Sequence, residues 1–579
     1  MTAAGPRRGG GGAARRVLDG FEARTGLFGG VKTLLSTEVA GGARFAYALG
    51  GVLVFLFVIE AITGVAMAAV YTPSVAGAWG SLHYLEHQVV LGSLVRGIHY
   101  FASSAFIVVV VLHMTQALLY GAHRRPREAT WIVGVVLLLA LLGFGITGRF
   151  LRMDQHGYWD TRVATGVMGS APGGDILKTL MLGGQRYGSE ALTRFYALHV
   201  FVLPGVFGLL TALHLAFARR HGPKPRPGAK PAPSQPWWPY QTLRTVVLSG
   251  VVLATLIALT LLVGVGLEAP ADPASAYEAR PDWYFRFLFQ LLHYLDGPLA
   301  LLGTVVLPGL AVVFLIATPF IDRRAPGEGP SKRTLIPYAL MLVGVATLTI
   351  VSFADDAGNE RFQKAMAEAD EATATAEQMI ALGGIDASGR IPLFEGLELY
   401  RDKGCAGCHD GTKTPSPGLA GYGTRQRLEA FLAHPNGEAF FGKTPLDGKM
   451  DAVEAEGDAR IALVDYLRSL GGHAEGSAAS VERGAAAFVE DCTDCHNAPA
   501  LVAGMKDYAV DAAGPDLAGL YGFEWTRAVV RNAGHVTAYG GSLDKDEAKK
   551  AMPSYEELSD EELSRIVTWL LAGAPGAKR

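Results

Sequence analysis

The chain has 579 residues, half of them hydrophobic, a formal net charge of −3 and four cysteines, with a mean hydropathy of +0.24. The length exceeds one ordinary domain, and so small a net charge argues against a nucleic-acid partner. Long uncharged stretches fill the first 353 positions and charged, Gly- and Pro-rich sequence fills the rest, so a membrane part followed by a water-soluble part is expected rather than one soluble globule.

An arm over residues 1–42 comes first. It carries Arg7, Arg8, Arg15 and Arg16, with no apolar stretch behind them before about residue 45. A cleavable leader is therefore not expected, and the membrane helices themselves must drive export. A spanning helix takes ~20 mostly apolar residues. Seven segments qualify, at 43–70, 97–121, 130–150, 195–217, 244–266, 298–318 and 335–353. Basic residues set their orientation. The arm, the run His123-Arg124-Arg125-Pro126-Arg127, the run Ala218-Arg219-Arg220-His221 and the pair Arg323-Arg324 with Lys332-Arg333 alternate with loops that are acidic or nearly neutral. This predicts a cytoplasmic N-terminus and places everything after about residue 354 on the opposite side, the periplasm if the membrane is a bacterial inner membrane.

The spans divide into a four-span domain, 43–222, and a three-span domain, 244–353, joined by a linker over 223–243. An Ala- and acid-rich tether, 354–392, leads to two similar helical units, 393–472 and 478–579, each closing on an amphipathic helix, 459–470 and 560–571. The expected fold class is all-α: a seven-span transmembrane helical bundle with two small all-α domains.

Four histidines stand inside the apolar spans. His99 and His113 are 14 residues apart on the second span, and His199 and His214 are 15 apart on the fourth. Either interval is close to four helical turns, so each pair faces one side of its helix at depths ~21–22 Å apart. The second and fourth spans run in the same direction, so His99 can face His199 and His113 can face His214. Two non-covalent haems, each held by two imidazoles and stacked across the bilayer, follow from that placement. Ionisable residues inside a membrane are functional candidates by default. Gly50 and Gly64 on the first span, and Gly134 and Gly148 on the third, repeat the 14-residue interval, and a missing Cβ lets a flat macrocycle approach the helix. Small residues also serve plain helix packing in membranes.

All four cysteines fall in two strings, Cys405-Ala406-Gly407-Cys408-His409 and Cys492-Thr493-Asp494-Cys495-His496. Two thiols at this spacing add to the vinyl groups of a haem, and His409 or His496 becomes its proximal ligand. A zinc ion would need two further ligands per motif, and no other cysteine exists. Methionines are expected as distal ligands, since they raise the potential of c-type centres. Met450 is the only methionine between its motif and the second unit, and Met552 precedes the last helix. Met505 is the rival to Met552, and His434 to Met450.

The stretch from about 40 to 353 resembles cytochrome b of the quinol-oxidising bc and bf complexes. It stands closer to the bf branch, whose four-span b protein is followed by a three-span subunit IV. The resemblance lies in the 15-residue histidine gap, in Arg125-Pro126-Arg127-Glu128, in Leu192-Thr193-Arg194-Phe195-Tyr196 before His199, and in the Pro-rich linker near 223–236. In that family a Pro-Glu-Trp-Tyr motif lines the quinol-oxidation site. Here it reads Pro281-Asp282-Trp283-Tyr284, so the resemblance gives Asp282 the role of accepting a quinol proton. Bf proteins hold an extra haem through a first-span cysteine that is Ala48 here, so no covalent haem is expected on span one. The family's Pro-Trp-Asp-Gln reads Arg152-Met153-Asp154-Gln155, a departure on one wall of the quinol site. Arg219 matches an arginine near the cytoplasmic quinone site.

The resemblance further implies electron bifurcation between a separate Rieske iron–sulfur protein and the two b haems. The two c haems would relay electrons to a soluble cytochrome c or a terminal oxidase, and the complex would be a homodimer. A different expectation is also open: an electron conduit or anchor subunit with no quinol chemistry of its own. The Asp282 motif and the last three spans speak against it, since a conduit needs only the four-helix haem bundle.

Overall fold

The structure is a computed structural model of the chain. The residues it describes are 13–25, 29, 36–39, 41–184, 187–228, 233–273, 275–325, 328–386, 389–410, 416–442, 444–473, 475–496, 514–535, 543 and 552–577. It forms two units, Met1–Leu267 with Tyr277–Lys364, and Glu268–Ala276 with Ala365–Arg579. Both are helical. Among the described residues the one sheet is a two-residue antiparallel pairing of Glu38–Val39 with Gln235–Pro236.

Among the described residues the first unit holds seven helices long and apolar enough to cross a membrane: α1 (Phe45–Ala68), α2 (Gly92–Leu119), α3 (Glu128–Phe150), α4 (Ser189–His221), α5 (Trp237–Leu262), α6 (Gly297–Ile321) and α7 (Lys332–Gly358). In lipid every backbone polar group must be satisfied internally, which is why such segments are helices. The central helix is α2, with 39% of its apolar window enclosed, against 6% for α4. The outward faces carry large apolar side chains such as Val65, Leu209 and Leu262, 70%, 73% and 85% exposed. Apolar area on this scale belongs in hydrocarbon rather than water.

Helix ends differ from the sequence expectation. α4 starts at Ser189 rather than 195, and α5 starts at Trp237, inside the expected linker. Hydropathy marks what lies in lipid, whereas helical hydrogen bonding continues into polar residues on either side. In α4 and α6 a wide π turn, Leu198–Val202 and Leu302–Val306, stands directly before Leu-Pro-Gly. Proline has no N–H and clashes with the carbonyl four residues back, and the wider turn accommodates it.

The second unit contains α8 (Glu360–Gly383, its first residues in the first unit), α9 (Pro392–Asp402), α10 (Ala406–His409), α11 (Arg425–Ala433), α12 (Asp458–Leu470), α13 (Ala478–Asp491), α14 (Phe523–Arg531) and α15 (Asp560–Leu571). The segment expected as a tether is largely helix α8, as its Ala- and Glu-rich composition favours. A capping box between Ser559 and Glu562 starts α15.

Sequence reading expects two similar consecutive helical units, 393–472 and 478–579, each closing on an amphipathic helix. The structure crosses them. α9 packs on α15, and α13 on α12. Both crossings use one device: a Cβ on Gly396 would lie 2.5 Å from the Arg565 carbonyl and from Trp569 Cβ, and one on Gly484 would lie 1.9 Å from the Ala462 carbonyl oxygen. Four residues on, Tyr400 packs on Trp569 (4.7 Å between rings) and Phe488 on Tyr466 (5.3 Å). Because both repeats carry Gly-x-x-x-aromatic, their docking faces are interchangeable. Only seven residues, 471–477, separate α12 from α13, and so short a connection favours a local helical hairpin.

Glu398 on α9 gives this unit a pH-dependent element. Burial, then Asp272 and Asp402, push its carboxyl up to about 7. A raised carboxyl binds its proton more tightly in the folded chain, so stability is full below the ordinary carboxylate range and falls as pH rises through about 7. Hydrogen exchange of the α9 peptide is expected to speed up between pH 5 and 8 beyond the intrinsic rate, by an opening free energy of roughly 1–3 kcal/mol. Glu398→Gln removes that dependence.

Candidate functional site

The four membrane histidines come together in two pairs. The His99 and His199 rings lie 6.4 Å apart, centroid to centroid, and so do those of His113 and His214. An imidazole nitrogen sits about 2 Å from a first-row metal, so two imidazoles on opposite sides of one ion hold their ring centres roughly 6 Å apart. The pairs fit a bis-imidazole iron. The 15-residue interval on α4 has a local cause: His199 lies in the π turn Leu198–Val202, which takes up one extra residue and leaves the interval equivalent to the 14 on α2.

Each glycine is matched to one imidazole. A Cβ on Gly50 would meet His113 Cε1 at 3.4 Å, on Gly64 His99 at 3.3 Å, on Gly134 His214 at 3.3 Å, and on Gly148 His199 at 2.7 Å. Each glycine thus lies against the imidazole of a neighbouring helix, where a side chain would crowd it. At 2.7 Å something must move, whereas 3.4 Å is ordinary contact. Gly148→Ala is thus expected to displace His199 and reduce b-haem content by up to half, while Gly50→Ala leaves it intact. Pyridine haemochrome spectra read both.

Sequence reading missed the groups beside the His99 and His199 imidazoles. Thr63 Oγ1 lies 2.9 Å from His99 Nδ1, and Thr147 Oγ1 lies 3.0 Å from His199 Nδ1. The signal was present, since Ile-Thr-Gly occurs at 62–64 and again at 146–148. Glu60, a carboxylate inside α1, stands 2.8 Å from His99 Nδ1. Such outer partners fix a ligand's orientation and basicity. Between the two histidine levels, Phe207 packs on Phe57 at 5.0 Å and on Phe106 at 5.8 Å, a dry aromatic layer.

One largely apolar cavity runs from His99 and His199 past Glu60 to Arg149, Asp282 and Tyr284. Asp282 is gripped there: Arg149 Nε donates to Oδ2 at 2.6 Å, a second Arg149 nitrogen reaches Oδ1, and the Tyr284 hydroxyl donates to Oδ2 at 2.9 Å. Burial first pushes the Tyr284 phenol up to about 12, against the opposing effect of Arg149, so it stays a donor. Arg149 also meets Asp160 at 3.0 Å and His156 at 2.6 Å. The backbone of the motif is held from both ends, because Arg280 and Arg286 both pair with Asp356 of α7. Trp283 donates to Ser104 at 3.2 Å, and Pro281 precedes the gripped carboxylate. On the departed wall, Asp154 caps the next helix by accepting from the Gly157 N–H at 2.8 Å.

In the second unit the histidines of the two C-x-x-C-H strings have the same support. His409 Nδ1 bonds the Pro417 carbonyl at 2.8 Å, and His496 Nδ1 bonds that of Pro515 at 3.0 Å. Each bond fixes the tautomer that leaves Nε2 free to ligate, which fits a haem proximal ligand. Among the described residues no group of three or more His, Cys, Asp or Glu side chains is placed to hold a metal ion such as zinc. His434 is exposed at the end of α11, whereas Met450 is partly buried. Met505 lies outside the described residues.

Comparison with known proteins decides the family. The model described as cytochrome b(N-terminal)/b6/petB matches residues 104–270. Cytochrome b6 of Synechococcus elongatus is 38% identical over 208 residues, 36% of this chain and 97% of that protein. The chain belongs to the cytochrome b/b6 family. Cytochrome b6 of Chlamydomonas reinhardtii is 36% identical over 208 residues, with the same coverage. A solved structure entitled hyperthermophilic respiratory Complex III superposes with a TM-score of 0.51 at 26% identity, over 58% of this chain and 91% of that one. The model described as cytochrome c oxidase, cbb3-type, subunit III matches residues 479–570. This cytochrome b therefore carries a cytochrome c part at its C-terminus, binds haem, and is a multi-pass membrane subunit of a bc/b6f-type oxidoreductase complex.

Against the cytochrome b frame, Ala48 is fully buried where bf proteins have a cysteine. Arg219 is exposed at the end of α4, 5.9 Å above the Trp237 ring. It does not line the cavity at Asp282.

Proposed function

We propose that this subunit oxidises a membrane quinol at Asp282 as part of a quinol–cytochrome c reductase. The observation that carries the proposal is the single cavity joining Asp282 and Tyr284 to the His99/His199 pair. Four haems would be held: two b by His99/His199 and His113/His214, and two c by Cys405, Cys408 and His409 and by Cys492, Cys495 and His496, with methionine opposite. Ala48 leaves no covalent haem on span one. Bound haem supplies one-electron carriers, so a two-electron donor can be divided between them and an outside acceptor.

The residues do the proton work. Arg149 grips the Asp282 carboxylate and aims it into the cavity, where it is placed to accept one of the protons that quinol must shed. Tyr284 holds the second lone pair of Oδ2 and orients the acceptor. As quinol binds, Arg149 can keep its pairing with Asp160, so the Asp282 carboxylate is released without stranding a buried charge. The apolar walls exclude water, which makes the positioned carboxylate the available base. Arg219, at the other end of α4, is proposed to attract quinone at the cytoplasmic face.

The partners of this reading are a Rieske iron–sulfur protein, the membrane quinone, and a soluble cytochrome c or terminal oxidase, in a dimeric complex of a bacterial inner membrane with its c haems in the periplasm. A non-oxidisable quinol analogue tests the site. It is expected to shift the absorption band of one b haem and not the other, and Asp282→Leu is expected to abolish the shift. No shift, or one indifferent to Asp282, would place quinol elsewhere.

A further inference from the structure

The two C-x-x-C-H repeats stand in tandem in the sequence, and one family model spans 479–570, with His496 and Met552 both inside it. The packing groups them differently. The loop bearing Met450 is tied to α11: Asn436 donates to the Met450 carbonyl at 2.9 Å and accepts from the Gly448 N–H at 2.9 Å, and the Val453 N–H reaches the Leu432 carbonyl at 2.9 Å. Met450 then packs in one core with Leu428, Leu432, Tyr466, Phe488 and Cys492. That core joins the second half of the first repeat to the attachment cysteine of the second.

The complementary half is equally explicit. The segment after Met552 is tied to α14, whose Arg531 carbonyl accepts from the Tyr555 N–H at 2.9 Å. The Tyr555 side chain is hydrogen-bonded to Cys405. Around it Lys403 pairs with Glu562 at 2.8 Å, Arg565 pairs with Glu395, and the Gly421 N–H donates to the Gly573 carbonyl at 2.8 Å. So Met552 travels with the first repeat's cysteines, just as Met450 travels with the second's.

We propose that the distal ligands are crossed: Met552 completes the haem on Cys405, Cys408 and His409, and Met450 completes the haem on Cys492, Cys495 and His496. Each haem site is built from the first half of one repeat and the second half of the other. The exchange rests on the reading that both motifs carry haem c. The short α12–α13 connection pairs those two helices locally, and α9 and α15 are left to pair with each other. Neither site can then be removed as an independent module, and each potential is set by ligands drawn from both repeats.

The test uses the full chain and an optical label. Cys492→Ala leaves one thioether, so that haem keeps an unreacted vinyl group and its α band moves to the red. In this background Met450→His replaces a thioether ligand by imidazole, which lowers the potential of the haem it binds. In a spectroelectrochemical titration the red-shifted band is expected to titrate at lower potential, with the unshifted band unchanged. A fall in the unshifted band would show ligation within each repeat and overturn the crossing, and so would no change in either band. Cys405→Ala with Met552→His makes the reciprocal measurement, so that a variant that fails to fold does not decide the matter. A wild-type chain without covalent haem by pyridine haemochrome assay would instead remove the haem c reading itself.

Discussion

Asp282→Asn is expected to lower quinol-dependent cytochrome c reduction by about 10²-fold, the usual contribution of a positioned base, with b and c haem content unchanged. The substitution is nearly isosteric and keeps an acceptor for Tyr284, so the cavity wall stays in place. What is lost is the negative charge that Arg149 meets with two nitrogens. Removing one partner of a buried ion pair ordinarily destabilises a protein by leaving the other charge alone. Here Arg149 retains Asp160 at 3.0 Å, so the effect falls on turnover and not on folding. Asp282→Glu restores a carboxylate on a longer arm and is expected to recover most of the rate. Steady-state reduction of a c-type acceptor, normalised to b haem, separates the outcomes. An Asn variant with near wild-type turnover would show that this carboxylate accepts no proton in the reaction.

His214→Ala is expected to remove one b haem and leave the other. The b absorbance falls by half, and the surviving haem keeps its band position. The two pairs sit at separate levels with the Phe57, Phe106 and Phe207 layer between them, so loss of one ligand set does not open the other. His199→Ala removes the other haem and, because His199 lines the same cavity as Asp282, also abolishes the analogue-induced band shift. A pyridine haemochrome ratio together with a low-temperature α-band spectrum distinguishes the two variants. Equal loss of both haems in each variant would contradict two separate bis-histidine sites.

Much of this was legible because membrane sequence is sparse in polar residues. Four histidines at matched depth in apolar spans stand out against their surroundings, and the structure does pair them. The two C-x-x-C-H strings are equally conspicuous. The 15-residue gap was visible but its cause was not, since a π turn depends on where Pro204 interrupts the hydrogen-bond ladder. Thr63 and Thr147 were overlooked because a threonine in a helix reads as filler until a neighbouring helix brings a histidine against it. Glu60 and Arg149 could have been flagged by charge alone, as ionisable groups within spans. The crossing of the c repeats was beyond sequence, because Gly396 and Gly484 present equivalent faces and pattern cannot say which C-terminal helix each accepts. Only the length of the 471–477 connection hinted at it.

The measurement closest to the central claim is quinol-dependent reduction of the purified complex, with and without a Rieske iron–sulfur partner, followed at the b and c bands. Quinol oxidation at Asp282 predicts that c-haem reduction requires the partner, and that blocking c-haem reoxidation raises a transient b signal. Equal c-haem reduction in the absence of any Rieske protein would contradict it and make this chain an electron conduit.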